Sequence, residues 1–347
     1  MQGFFLMNNR HNCIKYLYLS GVCLLAACGQ GGPVEVAQEP PVSSANSADA
    51  LSVSQGRARK IDPVLLECDV PGWRVTALGE VFDSDGKAWT TPAEVNYLDG
   101  PKATDLFNEC NEITLPNAEA LALDGVPITE LDTDGEVISI YFFGDNYAEI
   151  FVNGSLIGVD PVPYWPFNTS VVQVRVERPF TLAVKMVDWE ENLNIGSELM
   201  RGVPFHTGDG GFVAVIKDAD GDTIGVTDET WRVQNYYSSP LLDPSCILQD
   251  DGMRNSDACI VPEKENVEAE GYAVRWPIPE DWADPTFDDS KWPRASLYTN
   301  EDIGGSLQRP AYLNFSGLFD NPQADAEFIW SSNLLLDNLV LGRKRID

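Results

Sequence analysis

The sequence predicts an all-β protein, a β-sandwich or jelly roll, on three observations. Short runs rich in β-branched and aromatic residues recur through residues 61–347. Turn-forming residues separate those runs at close intervals. Helical patterning is confined to residues 103–112 and 117–123. Many short strands with frequent turns fold as stacked sheets more readily than as any helical arrangement.

The chain opens with Arg10 and Lys15, then an apolar stretch over residues 16–27 broken by Ser20 and Gly21. That stretch is about half of what a bilayer-spanning helix needs, so residues 1–27 are expected to be a signal peptide. Leu25-Ala26-Ala27-Cys28 resembles the lipobox of bacterial lipoproteins. The resemblance implies that Cys28 becomes the first mature residue and takes a diacylglycerol. An ordinary secretory signal with a chance cysteine is the alternative. Gly29, where an Asp usually marks inner-membrane retention in such lipoproteins, points to the outer membrane. Two or three acyl chains on one cysteine hold a protein to a membrane stably.

Residues 28–60 are rich in Gly, Pro, Ser, Ala and Gln with few large apolar side chains, which predicts a flexible tether. From residue 61 the strand signals begin. Val172, Val174 and Val176 alternate with Gln173, Arg175 and Glu177, the period of a strand with one buried face. Residues 181–187 (TLAVKMV) and 212–216 (FVAVI) are compact β-branched runs. Residues 147–157 (YAEIFVNGSLI) place Asn153-Gly154 between two apolar runs, the signature of a hairpin with a type I′ turn. Further strands are expected at residues 230–237, 327–330 and 338–346. The sandwich domain is expected over residues 61–245, with residues 246–347 a β-rich segment that packs on it or completes it.

Charge narrows the partners. The chain carries 23 basic and 54 acidic side chains, a formal charge of −31 that becomes two units more negative once Arg10 and Lys15 leave with the leader. Nucleic acid is therefore excluded as a partner, because phosphate binding relies on clusters of Lys and Arg. An acidic surface suits divalent cations, neutral sugars, basic partners or simple solubility. Of seven cysteines, Cys13 and Cys23 lie in the leader and Cys28 is the acyl site. That leaves Cys68, Cys110, Cys246 and Cys259, an even number in an exported chain, which predicts two disulfides. Three pairings are open, and Cys68–Cys110 with Cys246–Cys259 is preferred because each pair is closest in sequence. No Cys-x-x-Cys spacing favours zinc.

Several segments resemble galactose-binding-like jelly-roll modules. Residues 145–154 (DNYAEIFVNG) match their aspartate, strand and Asn-Gly hairpin. Residues 227–233 (TDETWRV) match a threonine-aspartate-then-tryptophan strand, and residues 287–293 (FDDSKWP) match an FDDS-x-W turn. Phe328-Ile329-Trp330 followed by residues 339–345 resembles their closing Arg-Lys strand. The order departs from the family's, since the Asn-Gly hairpin precedes the other two features. Either two sandwiches are present, or one is closed by the C-terminal segment in a permuted arrangement. Loops at one end of such modules usually bind sugars or calcium.

Candidate binding residues follow from that chemistry. Asp188, Trp189, Glu190 and Glu191 form an acidic loop after the TLAVKMV run, and Asp209 precedes the next strand. Carboxylates accept hydrogen bonds from sugar hydroxyls or chelate a hard cation, while Trp offers a flat face to a sugar ring. A solvated loop with Trp189 turned into the core is the competing reading. Trp165, in the Tyr164-Trp165-Pro166-Phe167 patch, is either a ligand platform or core filling. Asp218, Asp220, Asp222 and Glu229 stand at positions 1, 3, 5 and 12 of a calcium loop. However, Thr223 sits where such loops need Gly, and Asp83–Gly86 and Asp132–Gly135 repeat the same Asp-x-Asp-Gly turn, so hairpin turns are the competing reading.

Catalysis is not expected. His11 leaves with the leader, so His206 is the single histidine of the mature chain. No nucleophile elbow, zinc-protease, phosphate-cradling or dinucleotide motif occurs. An acid-pair glycan hydrolase stays open only because carboxylates are abundant. The expected function is a non-catalytic module that binds carbohydrate or a surface polymer, possible calcium assistance included. A structural or assembly subunit of the cell envelope is the alternative.

Overall fold

Phe180–Val187 (FTLAVKMV) has eight successive side chains of which only Thr181 and Lys185 are polar, a pattern that requires cover on both faces of a strand. The computed structural model supplies that cover. It describes residues 50–347 apart from 62–64, 70–76, 164–167, 190–191, 196, 199–205, 208–209, 261, 263–266, 304–308 and 323.

The strands of the two main sheets begin with β1 (Ser52–Gln55), β2 (Thr104–Asn108), β3 (Ile113–Thr114), β4 (Ile128–Glu130) and β5 (Glu136–Asp145). Then come β6 (Tyr147–Val152), β7 (Ser155–Val159), β8 (Thr169–Val176), β9 (Phe180–Val187), β10 (Gly211–Lys217) and β11 (Thr223–Val226). The last are β12 (Arg232–Leu241), β13 (Tyr272–Arg275), β14 (Ser296–Tyr298), β15 (Phe328–Trp330) and β16 (Asp337–Ile346). One sheet has the order β1-β13-β12-β16-β9-β6-β7, antiparallel throughout. The other runs β14-β15-β10-β5-β8-β2-β3, with β11 beside β10 and β4 parallel to β8. The fold is an all-β sandwich.

Alternation decides which side chains meet between the sheets. Leu182, Val184 and Met186 of β9 and Ala148, Ile150 and Val152 of β6 share one buried cluster with Ile138, Ile140 and Phe142 of β5 and with Phe212, Ala214 and Ile216 of β10. The sheets approach so closely that a Cβ at Gly158 would stand 2.3 Å from Val172 Cγ1. The opposite face of the first sheet is covered too. Ala183, Val187, Tyr147 and Phe151 pack there with Trp189, Trp276, Trp282 and Trp292 in a second cluster. Over the outer face of the second sheet, Phe143 meets Tyr312 and Phe328 edge-on. Trp276, Trp282 and Trp292 are all buried.

Several expectations are met residue by residue. Asn153 and Gly154 have φ of 48° and 83° and join β6 to β7, the type I′ hairpin. Both preferred disulfides form, Cys68–Cys110 and Cys246–Cys259, with Cα separations of 5.1 and 5.0 Å. The C-terminal β16 lies between β12 and β9, inside the first sheet.

Others are corrected. Residues 103–112, expected to be helical, are β2 and a single 3₁₀ turn, Glu109–Asn111, because Leu106 and Phe107 are buried where β2 pairs with β8. Asn117–Leu123 holds the 3₁₀ turn Ala118–Ala120 and the first residue of a second, Leu123–Gly125. The expected tether does not reach residue 60: β1 pairs with β13 from Ser52 to Gln55, and Arg59–Lys60 pairs with Gly79–Phe82. Backbone pairing at a sheet edge orders that polar stretch without a large apolar contribution. No helix among the described residues is long and apolar enough to cross a membrane.

Candidate functional site

Trp189 is 1 % exposed, its indole N–H donates to the Ala77 carbonyl at 3.2 Å, and its ring meets Tyr147 edge-on at 5.6 Å. The ring is therefore core, and the sugar-platform expectation for it is corrected. Asp188 is buried at the end of β9, where its backbone N–H donates to the Asn338 carbonyl. It does not project into solvent as a loop ligand would. Trp165, Glu190, Glu191 and Asp209 lie outside the described residues, as do Cys28 and the His206 side chain.

The expected calcium loop is a hairpin tip. Asp218 Oδ1 accepts the backbone N–H groups of Asp220 and Asp222, and Gly221 takes φ of 87°. Glu229 falls beyond the far end of β11, and a four-residue strand of about 13 Å separates it from the tip. A cation cage needs the chain to wrap, and an extended strand prevents that. Among the described residues no three His, Cys, Asp or Glu side chains gather as a metal-holding group. The other two Asp-x-Asp-Gly segments are also turns, closed by Gly86 N–H to the Asp83 carbonyl and Gly135 N–H to the Asp132 carbonyl.

One of those turns builds the most ligand-like cleft. Asp83 Oδ1 accepts from the backbone of Asp85 and Lys87, and Oδ2 accepts the Trp89 indole N–H at 2.9 Å. The Trp89 bond is the largest influence holding the Asp83 carboxyl below its ordinary pKa. With its indole fixed, Trp89 lines a cavity of about 260 Å³ together with Tyr236, Tyr237, Arg275 and Trp276. Backbone pairing sets Arg275 of β13 opposite Tyr237 of β12.

The floor of this cleft is rich in donors. Arg275 is 3 % exposed, and its Nη2 donates to Ser54 Oγ and Asn194 Oδ1. Its Nε and Nη1, like the Trp276 indole N–H, have no acceptor among the described residues. Burial lowers the Arg275 pKa, against nearby Tyr237 and Asp83, which raise it. Its guanidinium lies 5.7 Å from the ring centres of both Trp89 and Tyr237. Arg254 stacks similarly, 4.2 Å from Tyr236 and 4.8 Å from Trp276. Lys87 adds an ammonium 4.0 Å above Trp89. Flat aromatic faces beside cationic donors suit a polyhydroxylated or anionic ligand.

A second, wider groove of about 570 Å³ crosses the outer face of the other sheet, lined by Ser139, Tyr141, Gln173, Lys217 and Asp218. It presents one aromatic ring, and Asp218 and Asp220 sit on its wall.

None of the cleft residues was expected at a binding site from sequence. Trp89 stands three residues after an Asp-x-Asp-Gly turn, and Arg275-Trp276 interrupts an apolar run; both were available signals. Comparison of the chain with protein-family models, with curated proteins and with solved structures gives no significant match.

Proposed function

We propose that this chain is a lipoprotein anchored at the outer membrane through Cys28, and that its β-sandwich binds carbohydrate or a surface polymer without catalysing a reaction. The observation that carries this reading is the cleft in which Trp89, Tyr237 and Trp276 stand beside the Lys87 ammonium and the Arg275 guanidinium. Sugar rings stack on aromatic faces through C–H groups, and their hydroxyl or carboxylate oxygens accept from such donors. Kinship with galactose-binding-like modules is part of the same proposal. It is supported by the docking of the FDDS-x-W turn against the closing Arg-Lys strand, where Arg343 Nε donates to Asp289.

The test is a screen of neutral and uronate-containing polysaccharides against the full chain carrying Cys28→Ser, which removes the acylation site. Binding that is lost in Trp89→Ala supports the reading. Absence of binding to every polysaccharide overturns it.

An assembly role is the second reading, and one patch favours it. Leu242, Leu248, Met253 and Ile260 are exposed around the Cys246–Cys259 disulfide, Ile260 by 72 %. Self-association measured by light scattering, abolished by Leu248→Ser with Ile260→Ser, would support assembly over sugar binding.

A further inference from the structure

We propose that Asp105, Asp160 and Asn168 form a buried binding site for one calcium ion. The site is separate from the aromatic cleft and does not depend on the sugar-binding reading. It is also distinct from the Asp218 hairpin tip.

Three elements bring these side chains together. Asp105 lies on β2, where the register sets it opposite Ser170 of β8. Asn168 immediately precedes β8, and Asp160 immediately follows β7. The ends of these strands are joined, because Ala103 N–H donates to the Val159 carbonyl and Asp160 N–H donates to the Ala148 carbonyl.

The polar bookkeeping around them is incomplete in one direction only. Asp160 is 1 % exposed and Asn168 2 % exposed. Asp160 Oδ1 accepts from the Val162 backbone and from Asn168 Nδ2, each at 2.8 Å. Asn168 Nδ2 also donates to Ser170 Oγ at 3.1 Å, and Asp105 Oδ2 accepts from Asn108 Nδ2 at 2.9 Å. That leaves Asp160 Oδ2, Asn168 Oδ1 and Asp105 Oδ1, all buried and all without a donor among the described residues. Every unmet atom is an oxygen acceptor. Native interiors rarely leave such a group unpaired, and three together call for a positive partner.

Charge gives the same direction. Among the described residues no Lys or Arg forms an ion pair with Asp105 or Asp160. Tyr97 is near both carboxylates and spends its O–H on the Pro161 carbonyl. Two carboxylates and an amide carbonyl are hard oxygen donors of the kind calcium takes, with water completing its variable shell. Magnesium, which keeps most of its own water in a strict octahedron, fits an enclosed three-oxygen site less well.

The experiment uses the full chain, stripped with chelator at pH 7.5 and then given calcium or magnesium alone, with bound metal counted by mass spectrometry and unfolding followed thermally. One calcium per chain is expected, with a midpoint raised by about 5 °C or more and a much smaller response to magnesium. Asp160→Asn should abolish the calcium response. If that variant fails to fold, Asp105→Asn, at a partly exposed position, should weaken calcium binding at least tenfold. Asp218→Asn should leave it unchanged. No bound calcium and no shift in the unsubstituted chain would overturn the proposal. So would calcium binding that survives Asp160→Asn or disappears with Asp218→Asn.

Discussion

Arg343 on the last strand donates from Nε to Asp289 Oδ2 at 2.7 Å. The same guanidinium reaches the carbonyls of Trp282, Asp284 and Phe287, so one buried side chain holds four points of the loop that roofs the first sheet. Only a planar fork with several N–H groups satisfies all of them. Arg343→Ala should destabilise the protein by about 3 kcal/mol, and Arg343→Lys should recover little of that. Chemical denaturation of both variants checks this.

Lys185 and Glu149 form an ion pair at 3.0 Å on adjacent strands of the first sheet, with Glu149 fully buried. Glu149 also accepts from the Tyr147 hydroxyl and from Asn96, while Lys185 donates to the Glu94 carbonyl. Removing either partner strands a buried charge. Lys185→Met or Glu149→Gln alone should each lower stability by about 3 kcal/mol, and the double variant should lose less than the sum of the two. A double-mutant cycle reads the coupling directly.

Asp337 is buried and accepts from Asn235, Ser238, Ser256 and Ser331. Burial outweighs these donors and pushes its pKa from 3.8 up to about 6. A raised folded-state value means the folded protein binds the proton more tightly than the unfolded chain does. The contribution is fully present below about pH 4 and is lost as pH rises through 6, by about 3 kcal/mol at most. Stability measured from pH 4 to 7 should fall by about 3 kcal/mol less in Asp337→Asn than in the unsubstituted chain.

The two disulfides close loops of unequal size, with sequence separations of 42 and 13. Chain entropy then assigns about 4 kcal/mol to Cys68–Cys110 and about 3 kcal/mol to Cys246–Cys259. Replacing each pair by Ser should reproduce that order in urea midpoints.

What the sequence revealed and what it hid divide along chain distance. The Asn153-Gly154 turn follows from adjacent residues, and the two disulfides from pairing each of four cysteines with its nearest partner in sequence. Residues 103–112 look helical in isolation because Leu106 and Phe107 suit either period; the deciding partner, β8, comes some sixty residues later. Asp218, Asp220, Asp222 and Glu229 have calcium-loop spacing, but spacing cannot tell a wrapped loop from a hairpin followed by a strand. The cleft was least legible. Trp89 meets Arg275 and Tyr237 only after β12 and β13 pair, and no local pattern announces a contact made so far along the chain.

The most direct measurement is calorimetric titration of the full Cys28→Ser chain with the best polysaccharide from the screen, beside Trp89→Ala and Trp276→Ala. Losing one stacked ring should weaken binding about tenfold or more while the unfolding midpoint of Trp89→Ala moves by only a few degrees. Undiminished affinity in both variants would contradict a sugar site in this cleft.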